Sequence, residues 1–258
     1  MAVVSVEADA GQLATATATR IANLLREACE RHGSARLCMT GGQTPRLTYE
    51  SLARLSTQPG TAIDWNRVHL FWGDERTVPP DHDDSNFAMA DRALILPVAV
   101  PSRNIHRMRG ELPDASEAAR DYERVLRRFE RPGVPRFDVM LLGLGSDGHV
   151  ASLFPGDPQL ASQNALDPRD SRPESDESTR LTAAIRVPSL QAWRITLTPR
   201  ALLDASVILV LTAGASKASA VHAALRLPED VARWPVQLLR RADDRVEWWM
   251  DRAAAAAL

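Results

Sequence analysis

Between Gly143 and His149 the chain reads Gly-Leu-Gly-Ser-Asp-Gly-His, and Asp147 and His149 are the groups of that run able to do chemistry. An imidazole has an ordinary pKa of about 6.5, so it can take a proton from water at neutral pH. The apolar run Val139 to Leu142 just upstream has the length and bounds of a buried strand. A strand that ends in glycines and then a histidine sets that histidine at the carboxyl end of a sheet, where open α/β folds bind ligands. The same glycines spell Gly-x-Gly-x-x-Gly, the spacing of a dinucleotide fingerprint. That reading needs a helix opening at Gly148 and an acidic residue on the next strand, about 20 residues on. The candidates at that distance, Asp167 and Asp170, fall in a run of Asp, Ser, Pro, Glu and Arg with the composition of a loop. A nucleotide site would also leave the paired Asp147 and His149 unexplained.

Three further stretches put charge or open backbone at strand ends. Thr40-Gly-Gly-Gln-Thr-Pro45 follows the apolar segment Ala35 to Met39. Gly41 and Gly42 let the backbone approach a ligand. Thr44 as N-cap and Pro45 in the first helical position predict a helix over 45–55 whose free N–H groups can meet an anion. Taken alone, the stretch is equally a plain strand-to-helix turn. Asp74, Glu75 and Arg76 follow the apolar segment 67–72. The Arg76 guanidinium matches phosphate or carboxylate with a planar fork, and the two carboxylates can accept from sugar hydroxyls or hold Arg76. A solvated charged turn is the alternative. Gly214 and Lys217 follow the buried strand 207–211, where a helix running to about Leu225 begins. They form a second anion site by the same physics, against the commoner reading of a surface lysine in a first turn. His82 sits among Asp81, Asp83 and Asp84 without fixed ligand spacing and reads as a solvated turn rather than a metal loop.

The elements that must position these groups alternate strand with helix. Leu13, Thr17, Ile21, Leu24, Leu25, Ala28 and Cys29 recur at helical spacing over 9–31, and Gly33 can cap that end. Helices are also predicted from Ser85 to about Leu96, over 114–130, over 199–203 as a turn, and over 235–239. Strands are predicted over 3–6, 35–39, 67–72, 193–197, 207–211 and 246–250, with 102–108 as a short edge strand. The polar segment 157–179 reads as a mobile loop. The alternation makes 1–258 one α/β domain with a mainly parallel sheet.

Composition narrows the partners. The chain has 258 residues, 45% apolar and 25% charged, with a net charge of −2, so nothing draws it globally to nucleic acid or to an anionic membrane. Arg120, Arg124, Arg127 and Arg128 are interleaved with Asp121, Glu123 and Glu130 and read as the wet side of a helix. Cys29 and Cys38 form neither a disulfide framework nor a zinc motif, which fits a reduced cytosol. The N-terminus has no basic region followed by an apolar one, and no apolar run approaches a membrane span. A cytoplasmic location is expected. No serine sits in a Gly-x-Ser-x-Gly elbow and neither cysteine stands beside a histidine, so a nucleophilic triad is not expected.

The stretch Gly143 to Gly156, Gly-x-Gly-x-Asp-Gly-His-x-Ala-Ser-Leu-Phe-Pro-Gly, resembles the signature of the 6-phosphogluconolactonases, in the wider group that includes the glucosamine-6-phosphate deaminases. Ser152-Leu-Phe-Pro155 is the lactonase continuation, where the deaminases carry a Phe-Asn-Glu-like one. Trp72-Gly-Asp-Glu-Arg76, Gly41-Gly-Gln-Thr-Pro45, Ser85-Asn-Phe87, Arg194-Ile-Thr-Leu-Thr198, Gly214-x-x-Lys217 and the close from Val246 are similar to the family's other motifs. The resemblance implies a Rossmann-like three-layer sandwich with a mainly parallel sheet and a small additional β element. It implies hydrolysis of 6-phospho-D-glucono-1,5-lactone with His149 as general base and Asp147 supporting the imidazolium. Gly41, Gly42, Thr44, Asp74, Arg76, Arg194 and Lys217 would bind substrate, with no cofactor and no metal. A small sugar-phosphate lactone is the expected partner, and the chain is expected to be a monomer or a small homo-oligomer. A deaminase/isomerase and a non-catalytic sugar-phosphate sensor are the rival readings.

Overall fold

The computed structural model describes residues 3–58, 61–130, 133–157, 160, 179–187 and 190–258. Six strands form one parallel sheet in the order β1 (Val3–Glu7), β9 (Val246–Asp251), β8 (Ala205–Thr212), β5 (Phe137–Gly143), β2 (Ala35–Met39), β3 (Val68–Trp72). A second, antiparallel sheet joins β4 (Asp74–Arg76), β7 (Ala192–Leu197) and β6 (Thr182–Val187) in that order. These are the mainly parallel sheet and the small β element that were expected.

Period-two alternation in the central strands builds three layers. Val139 and Leu141 of β5, with Leu209 and Leu211 of β8, face one core. Helices α1 (Ala10–His32) and α2 (Gln43–Leu55) cover that side. Met140 and Leu142, with Ile208 and Val210, face the other core, under α4 (Ala115–Arg127), α6 (Ala218–Arg226) and the 3-10 segment Pro235–Arg245. Continuous apolar runs are what a strand buried on both faces requires. Helix α1 closes at the expected Gly33, at φ 80°, while Asp9, read as its first residue, is its N-cap: Asp9 Oδ1 accepts the Gln12 N–H at 2.8 Å.

Three expectations change. Helix α2 starts at Gln43, and Gly42, at φ 108°, takes the cap position, so Thr44 lies inside the first turn and its side chain is not the cap. The glycine makes the turn two residues earlier than the Thr-Pro signal suggested. Residues 102–108 are not an edge strand; Ser102–Asn104 is a 3-10 turn, and Ile105 alone bridges to Leu70. Asn104 Nδ2 donates to the carbonyls of Trp65 and Asn66, both at 3.0 Å, and holds the segment as a turn. Asp74–Arg76 is a strand rather than a charged turn, because β7 supplies it with an antiparallel ladder. Strand β6 was not anticipated at all. Helix α3 (Asn86–Ala90) runs on into a π turn, Asp91–Ile95, close to the predicted 85–96. Helix α5 (Pro199–Leu202) is the expected turn. Both cysteines are free and buried, and most of the polar 157–179 segment lies outside the described residues.

Candidate active site

From β2 the chain steps outward to β3, whereas β5 lies on the other side of β2 and leads on to β8 and β9. The sheet order therefore reverses between β2 and β5, and the carboxyl ends of those strands diverge into a crevice, the usual ligand position in such sheets. A cavity of about 320 Å³ opens there. Gly41, Gly42, Thr44, Asp74, Arg76, His149 and Lys217 line it, so residues from four separated stretches meet. Asp147 and Arg194 stand outside that lining.

Asp147 instead stands behind His149. Its Oδ1 is 2.6 Å from His149 Nδ1 and accepts the His149 backbone N–H at 3.2 Å. An ionised carboxylate only accepts, so the ring proton belongs on Nδ1 and the lone pair on Nε2. Burial raises the Asp147 carboxyl, but the charge of His149 and the hydrogen bonds it receives outweigh that and hold it below the ordinary carboxylate range. The ring packs on Phe154, with centroids 4.4 Å apart. Gly145 is required by contact: a Cβ there would lie 2.1 Å from His149 Nδ1 and 2.4 Å from Asp147 Oδ1. No helix opens at Gly148; residues 146–148 form a turn, which removes the structural condition for a dinucleotide fingerprint. The turn is latched from outside, Val236 N–H donating to the Gly148 carbonyl at 2.9 Å and Gly156 N–H to that of Ala232 at 2.8 Å.

The two acids beside Arg76 have separate tasks. Glu75 is buried and accepts the backbone N–H groups of Arg76, Asn86 and Phe87 at 2.7–2.8 Å and the Ser85 hydroxyl at 3.0 Å. It caps the start of α3 and does not face the cavity, although burial still pushes its carboxyl up. Asp74 accepts the Ser152 hydroxyl at 2.7 Å and Asn86 Nδ2 at 3.2 Å. It thereby ties β4 to the His149 loop while lining the cavity.

Arg76 donates to the backbone carbonyl of Asp84. Arg194 lies directly opposite it across the β4–β7 ladder. Residues so paired share a face, and like charges there repel. Burial first, and the charge of Arg76 next, lower the Arg194 pKa. Among the described residues both guanidinium Nε groups are buried without a partner, and neither arginine donates to a carboxylate. Such a pair is satisfied by an anion.

Lys217 ends the 3-10 turn Ala215–Lys217 ahead of α6, lines the cavity, and makes no ion pair among the described residues. The Gly214 N–H, expected to meet an anion, donates to both carboxylate oxygens of Asp251 at 3.0 Å. That bond fixes the loop, and of the two expected donors the Lys217 ammonium is the one left facing the cavity. Sequence reading missed Thr212, whose buried hydroxyl has no partner among the described residues and whose residue lines the cavity. The available signal was a hydroxyl at the end of an apolar strand. His82 and its acidic neighbours form no metal cluster among the described residues; its Nδ1 accepts the Asp84 N–H at 3.1 Å, as in a turn.

Comparison with known proteins follows the same lines. The chain is 35% identical over 257 residues to the 6-phosphogluconolactonase of Mycobacterium tuberculosis, covering 97% of this chain and 96% of that protein. It is 34% identical over 243 residues to that of Synechocystis, covering 93% and 90%. The solved 6-phosphogluconolactonase of Trypanosoma brucei superposes with a TM-score of 0.82 at 26% identity, covering 100% of this chain and 99% of that one. Residues 8–248 match the model of the glucosamine-6-phosphate isomerases/6-phosphogluconolactonase. Matched by that model over nearly its whole length and 35% identical to a full-length relative, the chain belongs to the glucosamine-6-phosphate isomerase/6-phosphogluconolactonase family.

Proposed function

We propose that this chain, acting as one domain over 1–258, hydrolyses 6-phospho-D-glucono-1,5-lactone to 6-phospho-D-gluconate in the oxidative pentose phosphate pathway, in the cytoplasm. The observation that carries the proposal is the His149–Asp147 pair, 2.6 Å apart, at a cavity that also holds Arg76 and Lys217. A base at one side and cations for a phosphate at the other suit a phosphorylated ester attacked by water.

In this scheme His149 Nε2 takes a proton from water and the hydroxide adds to the lactone carbonyl. Asp147 holds the ring and offsets the imidazolium charge. The C–O bond to the ring oxygen then breaks, and the imidazolium returns its proton to that oxygen. The scheme draws on water and groups of the chain itself. Arg76, Arg194 and Lys217 divide the phosphate and the developing oxyanion between them. The N–H groups of the first turn of α2 supply further donors.

The test is acid release from freshly made lactone, with spontaneous opening subtracted. Wild type accelerates it, and His149→Ala loses a factor on the order of 10²–10⁴. An unchanged kcat in that variant ends the role of His149. No acceleration by wild type, with ammonia released from glucosamine 6-phosphate instead, replaces the lactonase reading by the deaminase one.

A further inference from the structure

We infer that Tyr49 is a positioning residue for the loop 40–44, acting through the backbone of Thr40; the inference rests on reading that loop as part of the phosphate site. The β2–β3 ladder runs to Met39 opposite Trp72 and closes with the Gly73 N–H on the Met39 carbonyl at 2.9 Å. Beyond it the strands part. One chain turns into the loop, and the other crosses to the second sheet as β4. Thr40 is 4% exposed, and its N–H and C=O have no ladder partner there. Buried backbone groups left unpaired are costly.

Tyr49 supplies both partners. Its hydroxyl accepts the Thr40 N–H and donates to the Thr40 carbonyl, each at 2.9 Å. The side chain is fully buried and belongs to α2, the helix that the loop feeds. The hydroxyl therefore closes Thr40 onto the second turn of that helix. Gly41, Gly42 and the first turn are held between two fixed points. Tyr122 does the same from the opposite face of the sheet, accepting the Trp72 N–H at 2.8 Å and donating to its carbonyl at 3.1 Å. The chain has two tyrosines, and they stand at the two diverging strand ends. Burial pushes the Tyr49 hydroxyl pKa well up, so it remains a donor at every working pH.

Tyr49→Phe keeps the ring and removes the clamp. Inorganic phosphate, titrated calorimetrically, is expected to bind Tyr49→Phe about tenfold more weakly, equivalent to ~1.4 kcal/mol. KM for the phosphorylated lactone should rise by the same factor, with kcat and its pH profile within about twofold. Thr182→Val is the comparison. It removes a buried hydroxyl of β6 that donates to the Ala119 carbonyl of α4 at 2.7 Å, on the side of the sheet away from α2. It should lower Tm and leave phosphate affinity alone. In the unaltered protein, the Thr40 amide should exchange its hydrogen as slowly as the amides of β2. Unchanged phosphate affinity in Tyr49→Phe, an equal loss in Thr182→Val, or fast exchange at Thr40 overturns the inference. Absence of lactone hydrolysis by wild type, with phosphate binding retained and weakened in Tyr49→Phe, overturns the function and leaves the positioning role standing.

Discussion

Gly145→Ala disturbs the proposed catalytic pair, His149 and Asp147, without altering either member. The added Cβ would stand 2.1 Å from His149 Nδ1, 2.4 Å from Asp147 Oδ1 and 2.4 Å from His149 Cε1. Ordinary contact begins near 3.4 Å, so the ring must retreat by more than an ångström. The clashing atoms are the ends of two side chains, 33% and 47% exposed, and they can swing toward solvent while the backbone stays. Stability should therefore change little, whereas the 2.6 Å bond that fixes the tautomer is lost. A misplacement of about 1 Å in a catalytic group costs on the order of 10²-fold in rate. We expect kcat for lactone hydrolysis to fall by roughly 10²–10³, with Tm shifted by only a few degrees and inorganic phosphate binding retained. Gly73→Ala provides the contrast, since its Cβ would meet nothing closer than the Met39 carbonyl at 3.6 Å. Stopped-flow acid release with a pH indicator, corrected for spontaneous opening, reads both variants. A Gly145→Ala enzyme within threefold of wild type would refute the assignment of the pair.

Lys217→Ala should raise KM by roughly 10–10² with kcat nearly unchanged, as expected when a charged donor binds phosphate alike in ground and transition states; a loss confined to kcat would move Lys217 to the oxyanion. Away from the site, His106 bonds His69 at 3.1 Å and stacks on Phe71, and burial, then the charge of His69, depress its pKa to about 4. The unfolded chain then binds more protons than the folded one between about pH 4 and 6.5, so stability rises with pH across that window and is lost as pH falls through it. After discounting for partial exposure, the contribution is ~1–2 kcal/mol. Thermal melts from pH 4 to 7 should show a shallower slope for His106→Gln than for wild type, and parallel slopes would contradict this.

Local regularities carried most of the architecture. The apolar run 139–142 became β5, the helical repeat of 13–29 became α1 with its Asp9 and Gly33 caps, and 207–211 became β8. The glycine-rich strand ends at 40–42 and 143–148 were legible for the same reason. Chain direction and turn chemistry are set by neighbours within a few residues. Failures occurred where a distant segment supplies the partner. Strand β4 looks like a charged turn until β7 pairs with it, and β6 carries only a weak pattern because it is completed by β7.

In the site, residue types and spacing singled out His149 and Asp147 and offered Arg76 and Lys217 as candidates; family resemblance tipped the reading of those two and added Arg194. Four further facts needed the tertiary structure. These are the burial of Glu75 as a helix cap, the use of Asp74 to hold Ser152, the capture of the Gly214 N–H by Asp251, and the clamp of Tyr49 on Thr40. Each is a hydrogen bond whose geometry depends on where two strand ends diverge. The sequence by itself determined which strands end in glycine, hydroxyl and charge, because those are local choices of residue. Only the packed sheet decided which of those ends face one cavity, because the reversal of strand order between β2 and β5 is a property of the whole chain's pairing.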